Sequence, residues 1–212
     1  MIRFHIAREL AGAGLAAGSH TGERHAKLIL DQIKRGGVSE SGFIVVVDFS
    51  GIELATASYV KATVLWLALC GRLYAGALSA VEQRSLHGSS VEPLNVFPVV
   101  FGANEDVQHE IDEVFARRNL PCLVANSMIG DLIRVGRVLG EIEPAAARTI
   151  AALAGFSEAT AEDLHEKWPG EGVNITAWNN RLSGLHRIRV ARRRKQGKTW
   201  KYQPLAKIMK YG

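Results

Sequence analysis

The sequence predicts an α/β fold followed by a smaller α+β module. Over about the first 128 residues, short β-branched runs alternate with amphipathic stretches, as in a sheet with helices packed on it. Beyond about residue 143 the pattern becomes three short, capped helices and a hairpin. The charge divides at the same place. Residues 1–140 carry 13 Lys and Arg against 14 Asp and Glu, and residues 141–212 carry 13 against 7.

The opening IRFHIA alternates apolar and polar residues like a half-buried strand, and the small residues of AGAGLAAGS then form a loop. TGERHAKLILDQIKRGG places Ala26, Ile29, Leu30 and Ile33 on one helical face, with Thr21 as its cap and Gly36-Gly37 as its stop. FIVVVDF is continuously apolar, as a central strand covered on both faces must be. ASYVKATVLWLALCGRLYAG is a helix apolar nearly all round, and residues 85–98 break it as a loop. FPVVFGA is a strand, and NEDVQHEIDEVFARRN is a helix with acids in its first turn and Arg117-Arg118 in its last. PCLVAN is a further strand. The order is β-α-β-α-β-α-β over residues 1–128, and residues 129–142 read as a helical linker.

Residues 143–212 form the second module. EPAAARTIAALAGF is a helix ended by Gly155, SEATAEDLHEKWPG a second capped by Ser157 or Thr160, and NITAWNNRLSGLHRI a third capped by Asn174. RVARRRKQGKTWKYQPL gives two strands about a turn at Gln196-Gly197. In the third helix Ile175, Trp178, Leu182 and Leu185 make a buried stripe. The opposite face presents Thr176, Ala177, Asn179, Asn180, Arg181 and Ser183, side chains suited to base edges and phosphates. No acid follows Glu171, whereas eleven Lys and Arg do, from Arg181 to Lys210. A block of one sign calls for a polyanion or solvent to balance it.

Residues 143–208 resemble the winged helix-turn-helix family, with AWNNRLSGLHR as the recognition helix and RVARRRKQGKTWKYQPL as the wing. The resemblance implies double-stranded DNA as the partner. The candidate contacts are Thr176, Asn179, Asn180, Arg181, Ser183 and Arg187 on the helix, and Arg193, Arg194, Lys195 and Lys198 on the wing. Six phosphate contacts would give a log–log salt slope of about −5.

Residues 1–128 are similar to STAS-like domains, on the strength of VVVDFSGIELATAS, with Asp48 ending the strand and Ser50-Gly51 opening the turn. That family includes anti-sigma-factor antagonists phosphorylated at a serine of the helix N-terminus. Here Ala57 stands at that position, so Thr56 and Ser58 are the hydroxyls open to modification, with Thr56 also read as a plain helix cap. The resemblance implies a sensing or docking module with a protein partner, and homodimers are common among such regulators.

Other chemistry finds little support in the sequence. The seven histidines lack metal-ligand spacing, and His20 and His25, beside Glu23 and Arg24, read as surface polar groups. Gly12, Gly14 and Gly18 depart from a dinucleotide loop, so no cofactor is expected. Cys70 and Cys122 read as buried thiols, and no apolar run is long enough for a membrane span. The expectation is a cytoplasmic, non-enzymatic DNA-binding regulator. The alternatives are a protein-docking adaptor and an enzyme acting on nucleotides or nucleic acid.

Overall fold

The computed structural model describes residues 1–36, 41–73, 95–129, 132–169 and 172–205. The strands are β1 (Ile2–His5), β2 (Leu15–Ala16), β3 (Phe43–Asp48), β4 (Leu54–Ala55), β5 (Val96–Phe101), β6 (Pro121–Ile129), β7 (Leu132–Gly140), β8 (Ala191–Gln196) and β9 (Thr199–Pro204). Between them lie α1 (Ile6–Glu9), α2 (Ser19–Arg35), α3 (Ala57–Val60), a π-helical turn (Lys61–Leu65), α4 (Trp66–Leu73) and α5 (Glu105–Ala116). After β7 come α6 (Pro144–Ala154), α7 (Ala161–Lys167) and α8 (Ile175–Arg187). The protein is thus mixed α/β. Of the loop expected over 85–98, residues 85–94 lie outside the described ones, as do Lys207 and Lys210.

The main sheet has the order β1-β3-β5-β6-β7, with the first four strands parallel and β7 antiparallel to β6. Each parallel crossover steps the same way along the sheet. Right-handed crossovers that never reverse put every connecting helix on the same face. That face carries Val45, Val47, Val100 and Val124 against Ile29 and Ile33 of α2, Val60 and Val64, and Ile111 and Phe115 of α5. Gly22 lets α2 cross the following helix closely, since a Cβ there would stand 2.9 Å from the Tyr59 carbonyl oxygen.

The alternate side chains point the other way. Val46, Phe97, Val99, Leu123, Ala125, Ile133 and Val135 form one buried cluster with Ile150, Leu153, Leu164, Trp178, Leu182, Leu185 and Tyr202 of the C-terminal part. The continuous apolar character of FIVVVDF follows directly: Val45, Val46 and Val47 are all fully buried, and they alternate between the two cores.

The helical linker expected over 129–142 is overturned: Leu132–Gly140 is a strand. Its register against β6 shifts twice, between Val124 and Ala125 and between Ala125 and Ser127. Asn126 and Gly136 are the residues passed over, and a Cβ on Gly136 would collide with the Asn126 amide. The bulge at Gly136 changes which β7 residues face each core, so Ile133 and Val135 join one and Leu139 the other. The regular alternation of a strand is lost from the sequence.

Smaller differences concern caps. Helix α2 begins at Ser19 after Gly18, whose φ of 81° suits glycine, so Thr21 lies inside the helix. Thr160, not Ser157, caps α7 in a capping box with Asp163, and Asn174 caps α8 as expected. Ile175, expected in the buried stripe, is 41% exposed at the first position of α8, while Trp178, Leu182 and Leu185 are buried.

Phe97 belongs to the sheet yet packs within the second core, so Phe97→Ala should cost about 3–5 kcal/mol of unfolding free energy. Urea denaturation monitored by tryptophan fluorescence and by circular dichroism should show the same loss in both signals.

Candidate functional site

The C-terminal module has the order α6, a bridge, α7, α8, β8, β9, and the bridge pairs Ala159 with Tyr202 of β9. Both backbone bonds of that bridge are 2.8 Å, from Ala159 N to Tyr202 O and from Tyr202 N to Ala159 O. The hairpin closes through Gly197, with φ of 61°, and Lys198.

On α8, Thr176, Asn179, Asn180 and Arg187 are exposed, and Ser183 is half-buried. Arg181 differs from the sequence reading. Its guanidinium lies 5.4 Å from the Trp178 ring, and its Nη1 is buried without a hydrogen-bond partner among the described residues. Asn180, Arg181 and Arg187 also line a cleft of about 410 Å³ that α8 shares with Asn119, Glu141 and Glu143. The outward surface of the helix is therefore centred on Thr176, Asn179 and Ser183.

The cations of the hairpin divide by strand alternation. Arg192 and Arg194 share one face. Arg192 donates to Ser41 Oγ and, at 3.1 Å, to the Ser41 carbonyl, tying the hairpin to the start of β3. Arg194 donates to both carboxylate oxygens of Glu158, at 3.0 and 2.6 Å, and Lys201 adds a third bond at 3.4 Å. These cations hold the Glu158 carboxyl below its usual range. On the other face Arg193 stacks on Trp200 at 4.2 Å. Lys195 and Lys198 stand exposed at the tip.

Arg189 follows α8 in the left-handed region, with φ of 67°. It is 5% exposed, lies 5.4 Å from the Phe97 ring, and donates to Asn95 Oδ1 at 3.2 Å. His186 packs its ring 5.5 Å from the same phenylalanine, and its Nδ1 lies 3.2 Å from the Ala191 carbonyl oxygen. Burial, with Arg193 and Arg189 nearby, lowers its pKa to about 4.

In the N-terminal module Thr56 serves as a cap. Its Oγ1 accepts from Tyr59 N at 3.3 Å and from Gly18 N at 3.1 Å, so it joins the starts of two helices. Ser58 is exposed, 3.1 Å from the same hydroxyl. His20 is exposed, but His25 is fully buried, contrary to the surface reading. It occupies the inner face of α2, with Nδ1 2.8 Å from the Tyr59 hydroxyl and its ring edge-on to Phe4, and burial is the main cause of its lowered pKa.

A cluster at the C-terminal end of the parallel strands goes unread in the sequence. Asp48, 1% exposed, lies 2.7 Å from His5 Nδ1 and accepts from Arg3 Nε at 2.9 Å and Nη2 at 2.7 Å. The Ser50 amide donates to its other oxygen at 2.9 Å. Donation from Ser50 and Arg3 outweighs burial and holds this carboxyl below its usual range. The signal available was the alternation in IRFH, which puts Arg3 and His5 on one face of the strand that pairs with the one ending in Asp48.

Among the described residues no helix is long and apolar enough to cross a membrane. No family model matches the chain, and no curated protein or solved structure gives a significant match.

Two outcomes are expected. Lys195→Ala with Lys198→Ala should leave the melting temperature within about 2 °C of the parent, as for exposed surface sites, whereas Arg192→Ala should lower it measurably. His186 titrates near 6.5 when unfolded and near 4 when folded. The unfolded chain therefore takes up the proton first, and stability falls as pH drops from about 6.5 to 4. The loss is about 3 kcal/mol at most, with His25 acting in the same sense. Urea midpoints at pH 7 and pH 4.5 measure it, and His186→Gln should flatten the difference.

Proposed function

We propose that this protein is a DNA-binding regulator, with residues 143–205 acting as a winged helix-turn-helix and the N-terminal sheet acting as a STAS-like sensing or docking module. The observation that carries the reading is the pairing of Ala159 with Tyr202. It adds a third strand position between the first two helices of the module, and so gives the helix, strand, helix, helix, hairpin order of a winged helix. The outward face of α8, with Thr176 and Asn179 exposed and Ser183 half-buried, is suited to the major groove. Arg193, Lys195 and Lys198 supply the phosphate contacts of the wing.

The cations tied to Glu158 and Ser41 contribute less than their number in the sequence suggests. Three wing contacts give a log–log salt slope of about −3, shallower than the six-contact expectation. Either a protein at the N-terminal module or a second copy of the chain would supply the input.

The test is selection from a random duplex DNA pool at two salt concentrations, followed by sequencing. An enriched motif is expected. Asn179→Ala should relax discrimination at one position by about 1–3 kcal/mol, and Lys195→Ala with Lys198→Ala should weaken all sequences alike and reduce the slope by about 2. Unselective binding that neither variant changes would favour a protein-docking role.

A further inference from the structure

The strand-end cluster has chemistry that DNA binding does not use. An ionised carboxylate offers only acceptors, so the imidazole nitrogen facing Asp48 at 2.7 Å must carry a proton. Neutral His5 then keeps its lone pair on Nε2, which makes no hydrogen bond among the described residues. A buried carboxylate that fixes the tautomer of an imidazole and steadies the imidazolium formed on reaction is the arrangement that activates a histidine. The His5 side chain retains 28% of its exposure and that of Arg3 39%. Arg3 spends Nε and Nη2 on Asp48, and its guanidinium lies 5.0 Å from the Phe101 ring, so Nη1 remains to meet an anion. His5 ends β1 and pairs with Asp48, which ends β3, so the imidazole stands at the carboxyl end of the parallel strands with the Arg3 guanidinium beside it on the same carboxylate.

We propose that His5 is a phosphoryl acceptor, taking the phosphoryl group of a small acyl phosphate on Nε2 while Arg3 holds the phosphoryl oxygens. The Nε2 lone pair attacks phosphorus, the N–P bond forms, and the P–O bond to the acyl group breaks. The carboxylate leaves with the electron pair. Nδ1 keeps its proton, and the positive charge that appears on the ring is balanced by Asp48. The modification would place a dianionic group at the sheet edge. This inference stands independently of DNA binding.

The test is incubation of the full chain with acetyl phosphate, followed by mass spectrometry at neutral pH, where phosphohistidine survives. His20 and His109 serve as internal standards, since both are exposed and neither has a carboxylate partner among the described residues. His5 should be labelled about tenfold faster than either, as befits an imidazole oriented by a carboxylate. His5→Asn should remove that label and leave the others, and Arg3→Met should slow it without changing the rates at His20 and His109. Labelling that follows exposure, with His20 and His109 at or above His5, would overturn the proposal. So would the absence of label on His5 when phosphoramidate, a second phosphoryl donor, marks the exposed histidines.

Discussion

The rest of the structure depends on the need to cover the second face of the parallel sheet. Four parallel strands added in one direction send all their connecting helices to the same side. The opposite side is just as apolar, with Val46, Phe97, Val99 and Leu123. Left in water it would be a contiguous hydrophobic surface of the kind that soluble proteins bury. Residues from α6, α8, β8 and β9 bury it, so the basic C-terminal part also serves as the third layer of the fold.

That packing decides what the cations are for. Arg189 reaches Asn95 and Phe97, Arg192 reaches Ser41, and Arg194 is held by Glu158. Each of these guanidiniums is used in fixing the module to the sheet or in tying the hairpin to the segment between α6 and α7. Lys195 and Lys198 make no such anchoring contact among the described residues, and they lie exposed at the tip of the hairpin. His186 and Arg189, at the C-terminal end of α8, both rest on Phe97 of β5, so the module meets the sheet there.

The sequence made the alternating elements legible because their periodicities are undisturbed. FIVVVDF showed two-sided burial, Asn174 showed a helix start, and Gly197 showed the hairpin turn. The strand Leu132–Gly140 was hidden by the bulge at Gly136, which breaks the alternation on which strand recognition rests. The docking of the two modules was equally hidden, since helices facing a sheet carry the same apolar stripe as helices facing one another. At the candidate interface, the exposed residues of α8 could be read from helical spacing, but the engagement of Arg192 and Arg194 depends on Ser41 and Glu158, which are distant in sequence. The Asp48 cluster escaped for the same reason: a strand ending in aspartate is legible, but its partners belong to another strand.

Native-state hydrogen exchange tests the shared core most directly. Amides of β3 and β5 and those of α8 should open with a common free energy, and Trp178→Phe should lower both sets by the same amount, because one core supports both. Exchange in α8 governed by a separate, lower opening energy, with β3 and β5 unaffected by the substitution, would contradict the account.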